Sequence, residues 1–248
     1  MIYCVSNQKG GVGKSTTAQA LAAGLARRGR TVLIIDLDAQ GNTSRTFNAD
    51  PEKPGAFDLL TGTSNLLESI QRTHLDNLFL IAGNQRLQEI EKLLTDTGRE
   101  YRLKELIAKT KFNDVVIDTP PSICTLTANA LTAANTVILP TQATDYSIDA
   151  VKYMNKTIAT IKQYTNKQLT IGGFLFTRHT AKSRISKDAA TALASIAQAM
   201  HTKVFAATIP ESCKVQQAQH RHTDIFGYAP KDKAATAYNE FIDELLKK

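Results

Sequence analysis

A chain of 248 residues, 42% of them hydrophobic, holds enough apolar material for a full core without disulfide or metal staples. Its three cysteines, Cys4, Cys124 and Cys213, form no C-x-x-C pair and no metal-ligand spacing, which argues against a disulfide framework or an iron-sulfur site and for a reducing, cytoplasmic compartment. The net charge of +7 is unevenly spread: residues 152–187 carry eight cations and no acid, whereas residues 1–151 carry 15 Lys+Arg against 16 Asp+Glu.

The opening MIYCVSNQKGG has neither the cationic nor the long apolar region of a signal peptide. No later apolar run approaches the ~20 residues a spanning helix needs, so a soluble protein with no membrane contact is expected. The basic block is the electrostatic footprint of a polyanion binder, with a plain solvated face as its bland counterpart.

In chain order, short β-branched runs alternate with longer segments of helical periodicity. Strands are expected at 2–6, 31–37, 78–81, 115–118, 136–139, 169–176 and 204–209. Several are apolar on both faces, as parallel strands covered by helices are. One α/β domain spanning 1–248, with a mostly parallel central sheet, follows. Within 147–164, Ile148, Val151, Met154, Ile158 and Ile161 recur at helical spacing and leave Lys152 and Lys156 on the solvent side. Within 234–246, Tyr238, Phe241, Ile242, Leu245 and Leu246 do the same, which describes a helix docked on the body.

The first strand runs directly into Asn7-Gln8-Lys9-Gly10-Gly11-Val12-Gly13-Lys14-Ser15-Thr16, followed by an Ala/Leu-rich helical run. Glycines let such a loop turn its N–H groups inward on phosphate oxygens, and the helix N-terminus adds its positive dipole end. Lys14 can reach the outer phosphates, and the Ser15 hydroxyl can ligate Mg²⁺. The pattern G-x-x-x-x-G-K-[ST] is not fully met, because Gln8 stands at its first glycine and an extra lysine, Lys9, precedes the Gly10-Gly11 pair. Two acidic motifs, Asp36-Leu37-Asp38 and Val115-Val116-Ile117-Asp118, end apolar strands at the edge where open α/β sheets bind ligands.

This variant loop resembles the deviant Walker A of the ParA/MinD ATPases, and the likeness to the small ParA-type partition ATPases covers nearly the whole chain. The resemblance implies a three-layer P-loop NTPase, flanked on both faces of the sheet by helices, that hydrolyses ATP with Mg²⁺. It implies nucleotide binding by Lys9, Gly10, Gly11, Val12, Gly13, Lys14, Ser15 and Thr16, with Lys9 reaching the phosphates of a second copy. Asp118 resembles the Walker B acid at the metal together with Ser15, Asp36 lies beside the metal, and Asp38 resembles the acid that directs the attacking water. Thr208-Ile209-Pro210-Glu211 is similar to a stretch near the adenine, which carries Pro210 over. Lys182, with Arg184 close by, and Lys214 fall where small ParA proteins bind DNA without sequence preference.

The implied partners are a second copy in the ATP state, nonspecific duplex DNA and a ParB-type adaptor, with the protein on the nucleoid. Glu211 departs from the arginine the family often has there, and Arg178-His179 stand where relatives usually carry apolar and acidic residues. Three other readings compete. A MinD-like membrane switch needs a cationic amphipathic terminal helix, but Glu240, Asp243 and Glu244 lie on this one. An iron-protein role would need Cys124 and Cys213 as cluster ligands, and a small-molecule ligase would have no use for a basic face.

Overall fold

The structure is a computed structural model that describes residues 1–142, 146–179 and 184–247, with side chains described outside 146–152, 179 and 184–189. Its frame is an eight-stranded sheet: β1 (Ile2–Val5), β2 (Val32–Asp36), β3 (Ile70–Arg72), β4 (Leu78–Ile81), β5 (Asp114–Asp118), β6 (Thr136–Thr141), β7 (Thr170–His179) and β8 (Val204–Pro210), in the order β3-β4-β2-β5-β1-β6-β7-β8. All pairings are parallel except that of β3 with β4. The seven expected strands are present. β3 is an additional three-residue antiparallel edge whose sequence, Ile-Gln-Arg, is too short to show a period.

The helices used below are α1 (Lys14–Arg27), α2 (Asn42–Thr46), α3 (Thr125–Ala133), α4 (Tyr146–Tyr164), α5 (Arg184–Ala199), α6 (Cys213–His220) and α7 (Lys233–Leu246). Strand residues alternate between two cores. Cys4, Leu33, Ile35, Val115, Ile117 and Phe174 face one, which α3 and α4 cover through Leu126, Leu131, Met154 and Ile158. Tyr3, Val5, Ile34, Val116, Ile138 and Phe205 face the other, covered by α1 and α7 through Leu21, Leu25, Tyr238, Phe241 and Ile242. Burial on both faces is why these strands read as continuous apolar runs.

This arrangement fixes where chemistry can occur. β1 lies between β5 and β6, so chain connections depart to opposite sides of it and leave a crevice beyond its carboxyl end. In register, Val5 lies beside Asp118 and Asp36 beside Asp118, which brings the phosphate loop and both acidic motifs to one edge.

Candidate nucleotide site

The loop after β1 is held from both sides. Asn7 Nδ2 donates to the Pro140 carbonyl at 2.7 Å, and the Lys9 amide donates to Asn7 Oδ1 at 3.0 Å. Thr177 Oγ1, from the end of β7, donates to the Val12 carbonyl at 2.7 Å. Gln142 Nε2 and Arg178 Nη1 both donate to the Gly11 carbonyl, at 3.1 and 3.3 Å. With its carbonyls tied outward, the loop is free to turn amides inward. Gly11 and Gly13 adopt φ of 74° and 80°, the left-handed region in which a side chain would be strained, and Gly13 caps α1 in that conformation.

The cleft above the loop has a volume of about 870 Å³. Gly10, Gly11, Gly13, Lys14, Ser15, Thr16, Asp38 and Pro210 line it together, so the phosphate loop, one acid of the first acidic motif and the end of β8 converge on one cleft. Val12 turns its side chain into the core, at 1% exposure, and can offer only backbone. Lys9 is half-buried beside the cleft and its carbonyl accepts from Lys14 Nζ at 3.0 Å. Burial pulls the Lys14 ammonium below its ordinary range, while Asp118 and Asp38 pull the other way.

Three carboxylates meet beneath the loop. Asp36 is fully buried and engaged: Oδ2 accepts from Ser44 N at 2.9 Å and Ser44 Oγ at 2.7 Å, and Oδ1 accepts from the Asp38 amide at 3.1 Å. Asp38 Oδ1 accepts from the Gln40 amide at 3.0 Å. Gly83 seals this corner, since a Cβ there would stand 2.6 Å from the Asp36 carbonyl oxygen. Asp118 Oδ2 accepts from Thr43 Oγ1 at 2.7 Å, whereas its Oδ1 is buried with no hydrogen-bond partner. Desolvation and then Asp36 push the Asp118 carboxyl above the usual carboxylate range, opposed by the Thr43 and Ser15 hydroxyls. Desolvation likewise raises Asp36.

A dry site crowded with negative charge, with one orphaned carboxylate oxygen near a serine hydroxyl, is a site that a cation completes. Its donors are all oxygen, which suits Mg²⁺ rather than a thiolate- or imidazole-seeking metal. Magnesium therefore fits at Asp118 and Ser15.

The DNA-contact residues expected from sequence are placed less fully. Lys214 is exposed in the first turn of α6, its amide donating to Ser212 Oγ at 3.1 Å, and its neighbours Ser212, Cys213 and Val215 line the cleft. Lys182 lies outside the described residues; Arg184 begins α5, but its side chain also lies outside them. Of the basic block, Lys156, Lys162 and Lys167 are exposed, and Tyr153 and Tyr164 stand out with them at 63% and 70% exposure.

Several site residues were not singled out from sequence: Thr43, Ser44, Gly83, Gln142, Thr177, Gln19 and Gln219. Thr43 and Ser44 sit a few residues beyond Asp38 in a Gly-Asn-Thr-Ser stretch, and that proximity was a usable signal. Gln19 follows shortly after Thr16 on α1, but nothing in the sequence names its partners, and Gly83, Gln142, Thr177 and Gln219 come from distant segments and carried no signal.

The AAA domain family AAA_31 matches residues 1–171. The sporulation initiation inhibitor protein Soj of Bacillus subtilis (strain 168) is 31% identical over 250 residues, covering 98% of this chain and 97% of that protein. The chromosome-partitioning ATPase Soj of Treponema pallidum (strain Nichols) is 30% identical, covering 97% and 94%. Among solved structures, cobyrinic acid a,c-diamide synthase from Mycobacterium smegmatis with bound ADP and magnesium superposes with a TM-score of 0.85 at 34% identity, covering 99% of this chain and 94% of that one.

Proposed function

The chain belongs to the Soj/ParA family of P-loop ATPases, and from that premise we propose that it is a DNA-partition switch: ATP joins two copies, the pair holds duplex DNA without sequence preference, and hydrolysis releases it. The enzyme is an ATPase using ATP and Mg²⁺. The observation that carries the rest is that α6, whose first turn bears exposed Lys214, also forms a wall of the nucleotide cleft. A cation for DNA and the grip on the nucleotide thus share one element.

In this reading the loop amides of 10–16 and Lys14 hold the phosphates, and Lys14 moves from the Lys9 carbonyl to the terminal phosphates. Ser15 and Asp118 hold Mg²⁺, which supplies charge neutralisation at the transferring phosphoryl group. Asp36 keeps Asp38 and the following loop in register through Ser44. Asp38, at the cleft wall, orients the attacking water. Lys9 of a second copy adds a cation across the interface, so loss of the terminal phosphate removes what holds the copies together. Phosphoryl transfer needs positioning and charge more than covalent chemistry, and these groups suffice.

Lys182, Arg184 and Lys214 contact DNA phosphates. Lysine offers charge without the bidentate fork that reads bases, in keeping with nonspecific binding. A ParB-type adaptor stimulates hydrolysis, and the protein resides on the nucleoid.

The test is duplex binding across a salt series. Affinity falls with a slope of about −0.9 per phosphate neutralised, and Lys214→Ala lowers that slope by about one while leaving ATP binding intact. A salt-independent interaction, or an unchanged slope in the variant, would contradict the assignment. The diamide synthase likeness favours a second reading, an ATP-driven amide-forming enzyme. ATP turnover that needs both an added carboxylic acid and an ammonia donor, and ignores DNA, would establish it instead.

A membrane-switch role is disfavoured by the packing of α7, whose Ala234, Ala235, Tyr238, Phe241 and Ile242 are buried in the body rather than free to enter a bilayer. Among the described residues, no helix is long and apolar enough to cross a membrane.

A further inference from the structure

A line of hydrogen bonds runs under the nucleotide cleft from α6 to the metal acid. Gln219 Nε2, on α6, donates to Gln19 Oε1 at 3.0 Å and to Thr16 Oγ1 at 3.2 Å. Gln19 Nε2, on α1, donates to Thr43 Oγ1 at 3.1 Å, and Thr43 Oγ1 donates to Asp118 Oδ2 at 2.7 Å. Gln19 is 4% exposed, and Thr43 and Asp118 are fully buried. Water therefore has little access to substitute for the partners between Gln19 and Asp118, while Thr16 and Gln219 are half-buried at the cleft wall.

The proton directions in this line follow from counting. A primary amide has two N–H donors, and both of those on Gln219 are used. A hydroxyl has one proton. Thr43 accepts from Gln19, so its single proton goes to Asp118 Oδ2 and leaves Oδ1 as the open oxygen. Thr16 accepts from Gln219, so its proton is free for the cleft that Thr16 lines. One side chain, attached to the helix that carries Lys214, thus sets the polarity at Thr16 and holds the Gln19 amide with its N–H toward Thr43, the direction that the acceptor-only carboxylate of Asp118 requires.

We propose that Gln219 is a positioning residue of this ATPase: it turns the Thr16 hydroxyl proton toward the bound nucleotide and, through Gln19 and Thr43, commits one oxygen of Asp118 so that the other faces the metal. This rests on the assignment of Asp118 to Mg²⁺ and of the loop to the nucleotide, and adds a residue and a direction to it. Gln219 also lines the cleft, behind the Thr16 hydroxyl it donates to. It acts through its partners.

Calorimetric titration of ADP, first in EDTA and then with Mg²⁺, separates the two ends. Gln219→Met keeps the length of the side chain and removes both donors. It is expected to weaken metal-free ADP binding and to reduce the gain in affinity that Mg²⁺ confers, each by roughly tenfold. Gln19→Met should reduce the Mg²⁺ gain while leaving metal-free ADP binding as in the parent, because Thr16 keeps its donor. The double variant should lose no more of the Mg²⁺ gain than either single one, since both interrupt the same line.

Gln19→Met provides a separate check should Gln219→Met not fold. Parental behaviour of Gln219→Met in both titrations would overturn the proposal. So would equal losses in both titrations for both variants, tracking a lower melting temperature, which would mark general loosening. A parent protein whose ADP affinity did not respond to Mg²⁺ would sink the metal assignment itself, whereas a responsive parent with variants that respond to Mg²⁺ just as fully would sink only the relay.

Discussion

Asp38 is the residue whose role its surroundings separate most clearly from that of its neighbours. Of the three acids beneath the loop, Asp36 has both oxygens engaged by Ser44 and the Asp38 amide, and Asp118 keeps one oxygen orphaned below the cleft. Asp38 alone lines the cleft itself. A residue that orients water and does not hold nucleotide should be dispensable for binding. Asp38→Ala is therefore expected to bind ATP with near-parental affinity while its hydrolysis rate falls by roughly a hundredfold or more. Phosphate release at the parental rate would move the water-directing role elsewhere. Sequence placed these acids at strand ends, and only the family resemblance told Asp118, at the metal, from Asp36, beside it. Their surroundings differ through Ser44 and Thr43, which the short helix α2, started at Gly41, brings underneath, and no periodicity reports where so short a helix is set.

Among the elements, the short turn Ile225–Tyr228 shows how side chains from remote segments decide local structure. Asp224 caps it, Oδ1 accepting from the Phe226 and Gly227 amides at 3.0 Å each. The other oxygen takes Arg27 Nη2, from the last turn of α1, at 2.9 Å, and pairs with His74 Nε2 at 3.3 Å. Burial would raise this carboxyl, but the bonds from His74, Arg27 and the turn outweigh it and hold the pKa down at about 2. A depressed carboxylate stabilises the fold above its unfolded value near 4, and that contribution disappears as pH falls through 4 toward 2. Asp224→Asn should accordingly cost about 2 kcal/mol in denaturant unfolding at pH 7, with the gap from the parent closing below pH 4. A gap that stayed constant across that range would assign the loss to shape and not to charge.

The expected strands were legible because both faces are buried, and α7 because one face is. β3 was not legible, since three residues at an antiparallel edge owe their conformation to β4 and not to their own pattern. Gln19 and Gln219, 200 residues apart in sequence, meet only because α1 and α6 pack at the same cleft.

At the scale of the whole molecule, the proposed switch requires that the surfaces for two different polyanions share elements. The phosphate loop sits at the reversal of strand order, α6 borders the cleft with Lys214 at its start, and Lys156, Lys162 and Lys167 are exposed on α4 and in the turn beyond it. The concentration of cations in 152–187 is legible in the sequence alone, while the place of Lys214 beside the nucleotide cleft required the fold. The central claim is that the terminal phosphate governs both self-association and the hold on DNA. Light scattering paired with duplex mobility, in ATP, ADP and no nucleotide, tests it most directly. A dimer that retards DNA with ATP alone, and a monomer with little hold on DNA otherwise, is the predicted result. A protein that stayed monomeric in ATP, or bound the duplex equally well with ADP, would contradict it.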